Sequence, residues 1–555
     1  MTTNGRKTPR TSGHRIIGQM ILCLLGLCLP SLVLAEMGPV KKTKSENRVF
    51  LDHADALSYD EMVRPGVQVV KGNVRFRHNG AKLSCDSAYF RQEENSFEAF
   101  GRVRLVQGDT LSLHSEYAFY DGRDEMVYAR RNVVLRHRKS VLRTDSLNYD
   151  RKFGFGYFFE GGEIVDGGNR ITSDWGEYST MTRDATFYYG VKLKSPKYTV
   201  NTDTLHYDTR KRMAHVTGKS TILSDGNTIH TSDAYYDTQQ NAIRLFARST
   251  VENKEQTITA DSLLNNRVTG INEGFGNVIY VDKKNKNELH ADYCYYNEHT
   301  GTALATKRAT AVDYSQKDTL YVHADTIRMK TFNMKTDSMY REIYAYYKVR
   351  AFRNDVQAVC DSLVIVSKDS LMTMYRDPIV WQNNYQLLGE QIKVFTCDST
   401  IRFAHVVGQA LSIEQMKDRE HYNQIASKEM KAFFEQGKLQ MTEAVGNVQT
   451  IQYPLDDKDS TIIAMNYLEG DTLRMFFDKH RKLEKIWVFK PEGTAFPMTQ
   501  IPSGKDRLLN FAWFDYIRPK DKDDIFEWRG KAGGTELKPQ KRRELPLQQV
   551  EGSML

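Results

Sequence analysis

Apolar and polar residues alternate in short runs along most of this chain. In 74–78 and again in 81–85 every second residue is apolar or small, which is the pattern of a strand buried on one face. Asn79-Gly80 separates these two runs, and both residue types accept the positive φ that a two-residue hairpin turn requires. Similar Gly, Asn and Asp pauses recur, so the pattern predicts an all-β protein of antiparallel strands.

An acidic residue recurs about every 29 residues, a period typical of repeat arrays. The first nine are Asp55, Asp86, Glu116, Asp145, Asp174, Asp203, Asp233, Asp261 and Asp292. Glycines half a period away form a second series: Gly72, Gly101, Gly190, Gly218 and Gly276. The spacing widens from Asp325 through Asp361, Glu390, Glu429 and Asp471. We therefore predict a regular repeat domain at 49–310 and an irregular continuation at 311–480, about fourteen repeats in all.

The inward-facing parity of the residues changes at each acid. Before the acid, the apolar residue is three positions away and a small residue is one position away, so the inward residues are at odd offsets. After the acid, the apolar residue is two positions away, as Leu205 is from Asp203, so the inward residues are at even offsets. Such a switch requires a bulge or corner, where the carboxylate would accept backbone N–H groups. A column of calcium-binding carboxylates is the alternative, but the glycine-dense nonapeptides of such coils are missing. We favour the structural role and predict no metal site.

The parity predicts a continuous inward row of aliphatic side chains beside these corners. We choose eight of its members as the candidate binding residues. They are Leu83, Leu142, Ile171, Val200, Leu205, Ile258, Leu263 and Leu289. The irregular spacing beyond about residue 310 leaves open whether a groove continues through 311–480.

The two ends of the chain differ from the repeats. Residues 1–35 have basic residues, then an apolar run, then a small residue at Ala35, as in a cleaved signal peptide; an uncleaved membrane anchor is the alternative. Residues 36–48 form a linker. Residues 481–530 contain the aromatic run 511–516 and are interpreted as a cap for the last sheet edge or as a docking segment. Residues 531–555 are charged, and we expect a disordered tail.

Composition and motifs exclude several classes of function. The net charge of +8 falls once the basic leader is removed, so nucleic acid is not expected as a partner. Of the mature cysteines Cys85, Cys294, Cys360 and Cys397, three stand directly before an Asp, where other repeats have Thr, Ser or Ala. We therefore interpret these cysteines as small buried side chains that fill space in the core, and favour this role over disulfide bonds or metal ligation. The common catalytic and cofactor motifs are missing, so we predict no catalytic residue and no cofactor; a carbohydrate-active β-helix is the enzyme alternative.

The repeat itself carries a family resemblance. An apolar residue, a small residue and Asp, then Ser, Thr or Ala, with Tyr further on and Gly-x-Val about fourteen residues later, resembles the repeat of OstA-like proteins. The match is best over 50–310 and recurs weakly in 426–433 with 446–448. This family includes the periplasmic bridge protein of lipopolysaccharide transport and the periplasmic domain of its outer-membrane partner. The present chain is far longer than one small jelly-roll of that kind.

The resemblance implies both a fold and a function. The fold would be a β-jelly-roll of two facing antiparallel sheets, open along one side, with an apolar interior that shields lipid chains. The function would be a non-enzymatic periplasmic conduit for lipopolysaccharide or a similar glycolipid, with inner- and outer-membrane transport components as partners and head-to-tail self-association. Association with the outer membrane is left open. The alternative is a structural or adhesive β-solenoid that binds proteins or glycans on its outer face.

Overall fold

Long antiparallel strands dominate the computed structural model, which describes residues 47–397, 400–456, 459, 461–478 and 482–539. The predicted signal peptide and most of the linker lie outside these residues. From Arg48 onward, the described residues belong to one compact unit. None of its described residues forms a helix long and apolar enough to span a bilayer. Beyond the strands there are three short 3₁₀ turns, Met498–Gln500, Asp515–Ile517 and Asp524–Phe526. The all-β prediction is confirmed.

Thirty-eight strands join into one hydrogen-bonded sheet within the described residues. The first twelve are β1 Phe50–His53, β2 Ala56–Tyr59, β3 Gln68–His78, β4 Ala81–Arg91, β5 Ser96–Gln107, β6 Leu111–Asp121, β7 Met126–His137, β8 Ser140–Asp150, β9 Phe155–Phe158, β10 Gly162–Asp166, β11 Asn169–Ser173 and β12 Trp175–Ser179. The next fourteen are β13 Asp184–Lys194, β14 Tyr198–Asp208, β15 Met213–Ser224, β16 Asn227–Asp237, β17 Ala242–Leu245, β18 Ser249–Glu252, β19 Gln256–Ala260, β20 Ser262–Asn266, β21 Ile271–Asp282, β22 Asn287–Asn297, β23 Thr302–Thr306, β24 Thr310–Asp313, β25 Leu320–His323 and β26 Thr326–Phe332. The last twelve are β27 Tyr340–Arg353, β28 Val356–Val366, β29 Leu371–Tyr375, β30 Ile379–Gln382, β31 Tyr385–Leu388, β32 Gln391–Cys397, β33 Thr400–Gln415, β34 Tyr422–Glu435, β35 Lys438–Gln452, β36 Ala464–Phe477, β37 Leu483–Phe489 and β38 Glu492–Pro497.

Each long strand is divided by a bulge near its middle. Between β3 and β4 the register runs from Lys71↔Ser87 to Val74↔Cys85, so two residues of one strand oppose one residue of the other. Shifts of this kind recur along the ladder, and elsewhere the long strand breaks into a pair of short ones. The predicted corner at the acids is confirmed, except that at Glu429 it falls one residue earlier, at Lys428. We call the segments on the two sides of the bulges half-sheet A, which contains β2, and half-sheet B, which contains β1.

The acid and the glycine of the two series meet at this corner. Gly101 has φ +70°, and a Cβ there would lie 2.5 Å from Oδ2 of Asp86. Arg102, the next residue, donates from Nε to Oδ1 of Asp86 at 2.9 Å. The carboxylate therefore fills the space that the missing side chain leaves, which explains why the two series keep the same period.

The expected acceptance of backbone N–H groups by these acids is wrong at most corners. Asp145 accepts from the backbone N–H of Asn132 at 3.2 Å. Other corner acids pair with side chains, as Asp261 does with Nδ2 of Asn277 at 2.9 Å and with Nη1 of Arg248 at 2.7 Å. The acids thus hold neighbouring strands together through side-chain contacts.

Turns and cysteines test two further predictions. Asn79 and Gly80 have φ +42° and +76°, which confirms the two-residue hairpin between β3 and β4. Within the described residues no two cysteines are joined by a disulfide bond. Burial raises the pKa of the Cys85 and Cys360 thiols to about 12, as expected of side chains that fill space in the core. Cys397 is exposed, so that interpretation is wrong at this position.

Candidate functional site

The interior between the two half-sheets is lined by continuous apolar rows. In half-sheet B, residues directly opposite one another on successive strands form what we call row B. Row B runs through Phe76, Leu83, Leu105, Leu113, Leu135, Leu142, Ile164, Ile171, Leu193, Val200, Ile222, Ile229, Val251, Ile258, Tyr280, Leu289, Ala311, Val322, Ala351, Ala358, Val380 and Leu387. With strands about 4.8 Å apart, this row extends roughly 100 Å.

Row A is the corresponding inward row of half-sheet A. From β9 onward it runs through Phe158, Gly176, Phe187, Leu205, Val216, Ala234, Leu245, Leu263, Gly274, Cys294, Ala305, Ile327, Ala345, Leu363, Met374, Ile392 and Val406. Six of the eight candidate residues lie in row B, and the other two, Leu205 and Leu263, lie in row A. The structure therefore places all eight on the inner faces; lipid binding by them stays a prediction.

Aromatic side chains fill the interior in the first part of the chain. Phe76 of half-sheet B stacks on Phe97 of half-sheet A with ring centroids 4.2 Å apart, so the two inner faces touch. Tyr120 continues this contact, its ring 5.1 Å from that of Phe97. All three side chains are at most 2% exposed. The candidates Leu83 and Leu142 belong to the same buried cluster and present almost no free surface.

The strand ends that lie away from the bulges approach each other at what we call the mouth. One row of half-sheet A lines it and includes Tyr120, Tyr149, Tyr178 and Tyr207. We call this row the mouth row of half-sheet A. The Tyr120 hydroxyl is 2.6 Å from Nδ1 of His78 across the mouth. Arg151 donates from Nη1 to the same hydroxyl and from Nη2 to the carbonyl of His78 at 3.3 Å. Burial raises the pKa of Tyr120 to about 12, so this phenol stays a neutral hydrogen-bonding group.

Further bridges cross the mouth at later repeats. The Tyr178 hydroxyl is 2.8 Å from Nδ1 of His137. Tyr207 donates to Oδ2 of Asp166 at 3.2 Å and accepts from Nδ2 of Asn169 at 3.0 Å. Buried polar groups of this kind cost free energy unless they are paired, so each bridge holds the mouth closed. Arg267 reaches across in the same way and pairs with Ser224 and Asp225.

The inner faces are more open beyond about residue 240. Row B positions from Val251 to Leu387 are only partly buried, and several pack at the edge of a second cluster. Of that cluster's fourteen buried members six are Ala and none is aromatic. Apart from Tyr280 of row B, rows A and B are therefore lined by small and aliphatic side chains here, whereas aromatic rings fill the space in the first part.

A C-terminal segment covers the outer face of half-sheet B. We call residues 506–528 the strap. Its Phe514 and Ile517 are 2% and 5% exposed and pack against Trp381 and Leu388 in a third cluster. Buried glutamines on the strands bind its backbone: Gln386 donates to the carbonyl of Ala512 and accepts from the N–H of Phe514, both at 2.8 Å. The strap therefore thickens this wall from outside and leaves the inner face free.

The strap is also where two predicted segments meet the structure. Within the predicted cap at 481–530, β37 and β38 pair with the edge of β36, whereas the strap lies on the outer face of several strands. Residues 531–539, assigned above to the tail, pack beside it: Ala532 donates its N–H to the Tyr516 hydroxyl, and Lys538 donates to Oδ1 of Asn510. The rest of the predicted tail lies outside the described residues.

No cluster of three or more His, Cys, Asp or Glu side chains suited to a metal ion occurs among the described residues. The mouth contacts are the feature that the sequence reasoning missed. The signal was present: the tyrosine four positions after the acid recurs as Tyr120, Tyr149, Tyr178 and Tyr207.

Comparisons with known proteins concern part of the chain. The family model described as OstA-like protein matches residues 46–203. One similar solved structure is the crystal structure of LptH, the LptA homologous periplasmic component of the conserved lipopolysaccharide transport device from Pseudomonas aeruginosa. It is 14% identical, its alignment covers 25% of this chain and 92% of LptH, and the TM-score is 0.19. No curated protein matches the sequence. Residues 46–203 thus carry the OstA-like signature, and the family resemblance inferred from the repeats is confirmed.

Proposed function

We propose that the protein is a non-enzymatic lipid conduit of the periplasm, which shields the acyl chains of lipopolysaccharide or a similar glycolipid on their way to the outer membrane. The observation that carries the proposal is the pair of apolar rows that face each other from strand to strand. The OstA-like match of residues 46–203 supports the same function. Components of the inner- and outer-membrane transport machinery would deliver and receive the lipid.

The energetics suit retention together with movement. Each methylene removed from water contributes about 0.8 kcal/mol, so ten methylenes contribute about 8 kcal/mol. Because successive positions of row B are all apolar, an acyl chain that moves by one strand exchanges one apolar contact for another. A conduit of this kind needs no catalytic group.

Photo-crosslinking in the intact chain tests this function. A photoreactive residue at the row positions Ile258, Leu289 and Val380 is expected to capture glycolipid in cells. The same residue at the outward positions Lys82 and Arg143, which are exposed, is the matched control. Capture confined to the outward positions, or no capture at any position, contradicts the proposal.

We further propose that copies join end to end. Among the described strands, β1 and β2 pair only with β3, and β37 and β38 pair only with β36, so each end presents free strand edges. On β37 the side chains of Ile486, Trp487 and Phe489 are 40–47% exposed. Sedimentation velocity at rising concentration is expected to show mass growth, and a Trp487→Lys variant should stay monomeric. A constant monomer mass in the parent protein contradicts this.

A further inference from the structure

The position four residues after each corner acid changes character along the chain. In the first repeat it is Tyr59, which is exposed, and in the next five it is Phe90, Tyr120, Tyr149, Tyr178 and Tyr207. The latter five are at most 4% exposed. The repeat of Asp233 has Asp237 there, and Tyr236 takes its place in the mouth row. The later repeats have Asn265, Tyr296, Met329, Ile365 and Val394 at this position.

This exchange has two physical effects. The aromatic ring that occupied the interior is replaced by a smaller or more flexible side chain, and the hydroxyl with which Tyr120, Tyr178 and Tyr207 bridge to the opposite rim is lost. Tyr296 keeps the ring but is 39% exposed, so it does not fill the space between the half-sheets. Its neighbours in the mouth row, Met329, Ile343 and Met372, are likewise only partly buried. Methionine adapts its shape to irregular apolar ligands.

The facing wall changes further along the chain. Row B has Leu or Ile from Leu83 to Leu193 and still has Val251, Ile258, Tyr280 and Leu289, but it has Ala at Ala311, Ala351 and Ala358. Both walls therefore carry smaller side chains from about residue 311 onward, whereas between residues 243 and 289 only the mouth row has changed. In the first part, by contrast, the aromatic contact of Phe76 with Phe97 already fills the gap.

We infer that acyl chains occupy only the part of the interior between about residues 243 and 410, and that residues 70–236 form a closed segment latched by the tyrosines at plus four. The inference rests on the proposed function and assigns its binding compartment. The occupant is a saturated acyl chain, because rows A and B of this compartment carry no charged side chain and, apart from Tyr280, no aromatic one. The closed segment would act as a rigid spacer of fixed length.

The test uses the unaltered full-length chain and a defined probe. A dodecanoyl glucosamine with a diazirine in its acyl chain is photoactivated on the protein, and labelled peptides are mapped by mass spectrometry. Labels are expected on inward residues between 243 and 410, at least tenfold more often than on those between 70 and 236. Equal labelling of both parts overturns the inference but supports the conduit. Labelling of neither interior overturns both proposals.

A second arm restores the tyrosine pattern where it is missing. The variant Met329→Tyr, Ile365→Tyr, Val394→Tyr should lower labelling between 329 and 410 about tenfold. The control variant Arg328→Tyr, Val364→Tyr, Lys393→Tyr places the same side chains one residue earlier, on the outer face, and should label like the parent. Equal labelling of the two variants overturns the inference.

Discussion

Gln386 holds the strap to half-sheet B, and replacing it measures what that attachment contributes. The side chain is fully buried and makes three hydrogen bonds: to the Ala512 carbonyl, from the Phe514 N–H, and from Nε1 of Trp381 at 3.1 Å. Gln386→Met keeps the shape of the side chain but leaves all three partner groups unpaired. Each loss costs about 1 kcal/mol or more, so the strap should be destabilised by about 3 kcal/mol.

Amide hydrogen exchange of the strap measures this loss directly. Because each 1.4 kcal/mol corresponds to a factor of ten, protection of residues 508–518 should fall roughly 100-fold, while that of row B strands changes little. Gln382→Met, at the exposed end of β30 directly before the turn of the same hairpin, is the control. Unchanged strap protection in Gln386→Met, or an equal loss in the control, would refute the reasoning.

Three more predictions concern the corner, a buried histidine and the thiols. Gly101→Ala should lower the free energy of unfolding by about 2 kcal/mol, because φ is positive and the Cβ meets Asp86; Asp86→Ala in the same chain should recover part of it, as urea titration will show. Burial and a nearby guanidinium lower the pKa of His323 from 6.5 to about 4. The contribution of this residue to the free energy of unfolding is therefore full above pH 6.5 and falls as the pH drops below it, by on the order of 1 kcal/mol at pH 5. His323→Gln should flatten that pH dependence. In the native protein a thiol reagent at pH 8 should modify Cys397 and spare Cys85, because burial raises the pKa of the latter to about 12.

Each of these has a contrary outcome. No recovery by the second substitution would show that the carboxylate is not what the new methyl group meets. A pH profile that His323→Gln leaves unchanged would assign the acid sensitivity to another group. Rapid modification of Cys85 in the folded chain would mean that the first part of the interior opens readily, against the closed segment inferred above.

Sequence periodicity was sufficient for the corner but not for the mouth. Parity through Asp86 and Asp203 predicted a bulge, because a switch of inward face has few structural solutions, and the structure has it at the predicted place. The tyrosine four residues later recurs with the same period, but periodicity does not indicate which group its hydroxyl binds. Tyr120 bridges to His78 over 42 residues and Tyr178 bridges to His137 over 41 residues. A local sequence pattern does not encode a partner at that distance.

The extent of the interior was open for a related reason. Regular spacing marks where corners recur, but the free space between two walls depends on side-chain volume at facing positions. The spacing loosens beyond Asp292, yet row B continues through Ala311 and Val380. The contact of the strap with the outer face could not be predicted either, because Gln386 binds Ala512, which lies more than a hundred residues later in the chain.

Native mass spectrometry of the full-length protein, released gently from the periplasm, tests the central claim most directly. The account predicts a co-purified acylated glycolipid in a defined ratio to the protein. It also predicts that the Met329→Tyr, Ile365→Tyr, Val394→Tyr variant carries less of this lipid than the parent protein does, and that the outer-face control carries as much as the parent. Protein that is consistently free of lipid, or that keeps it equally in both variants, would contradict the account.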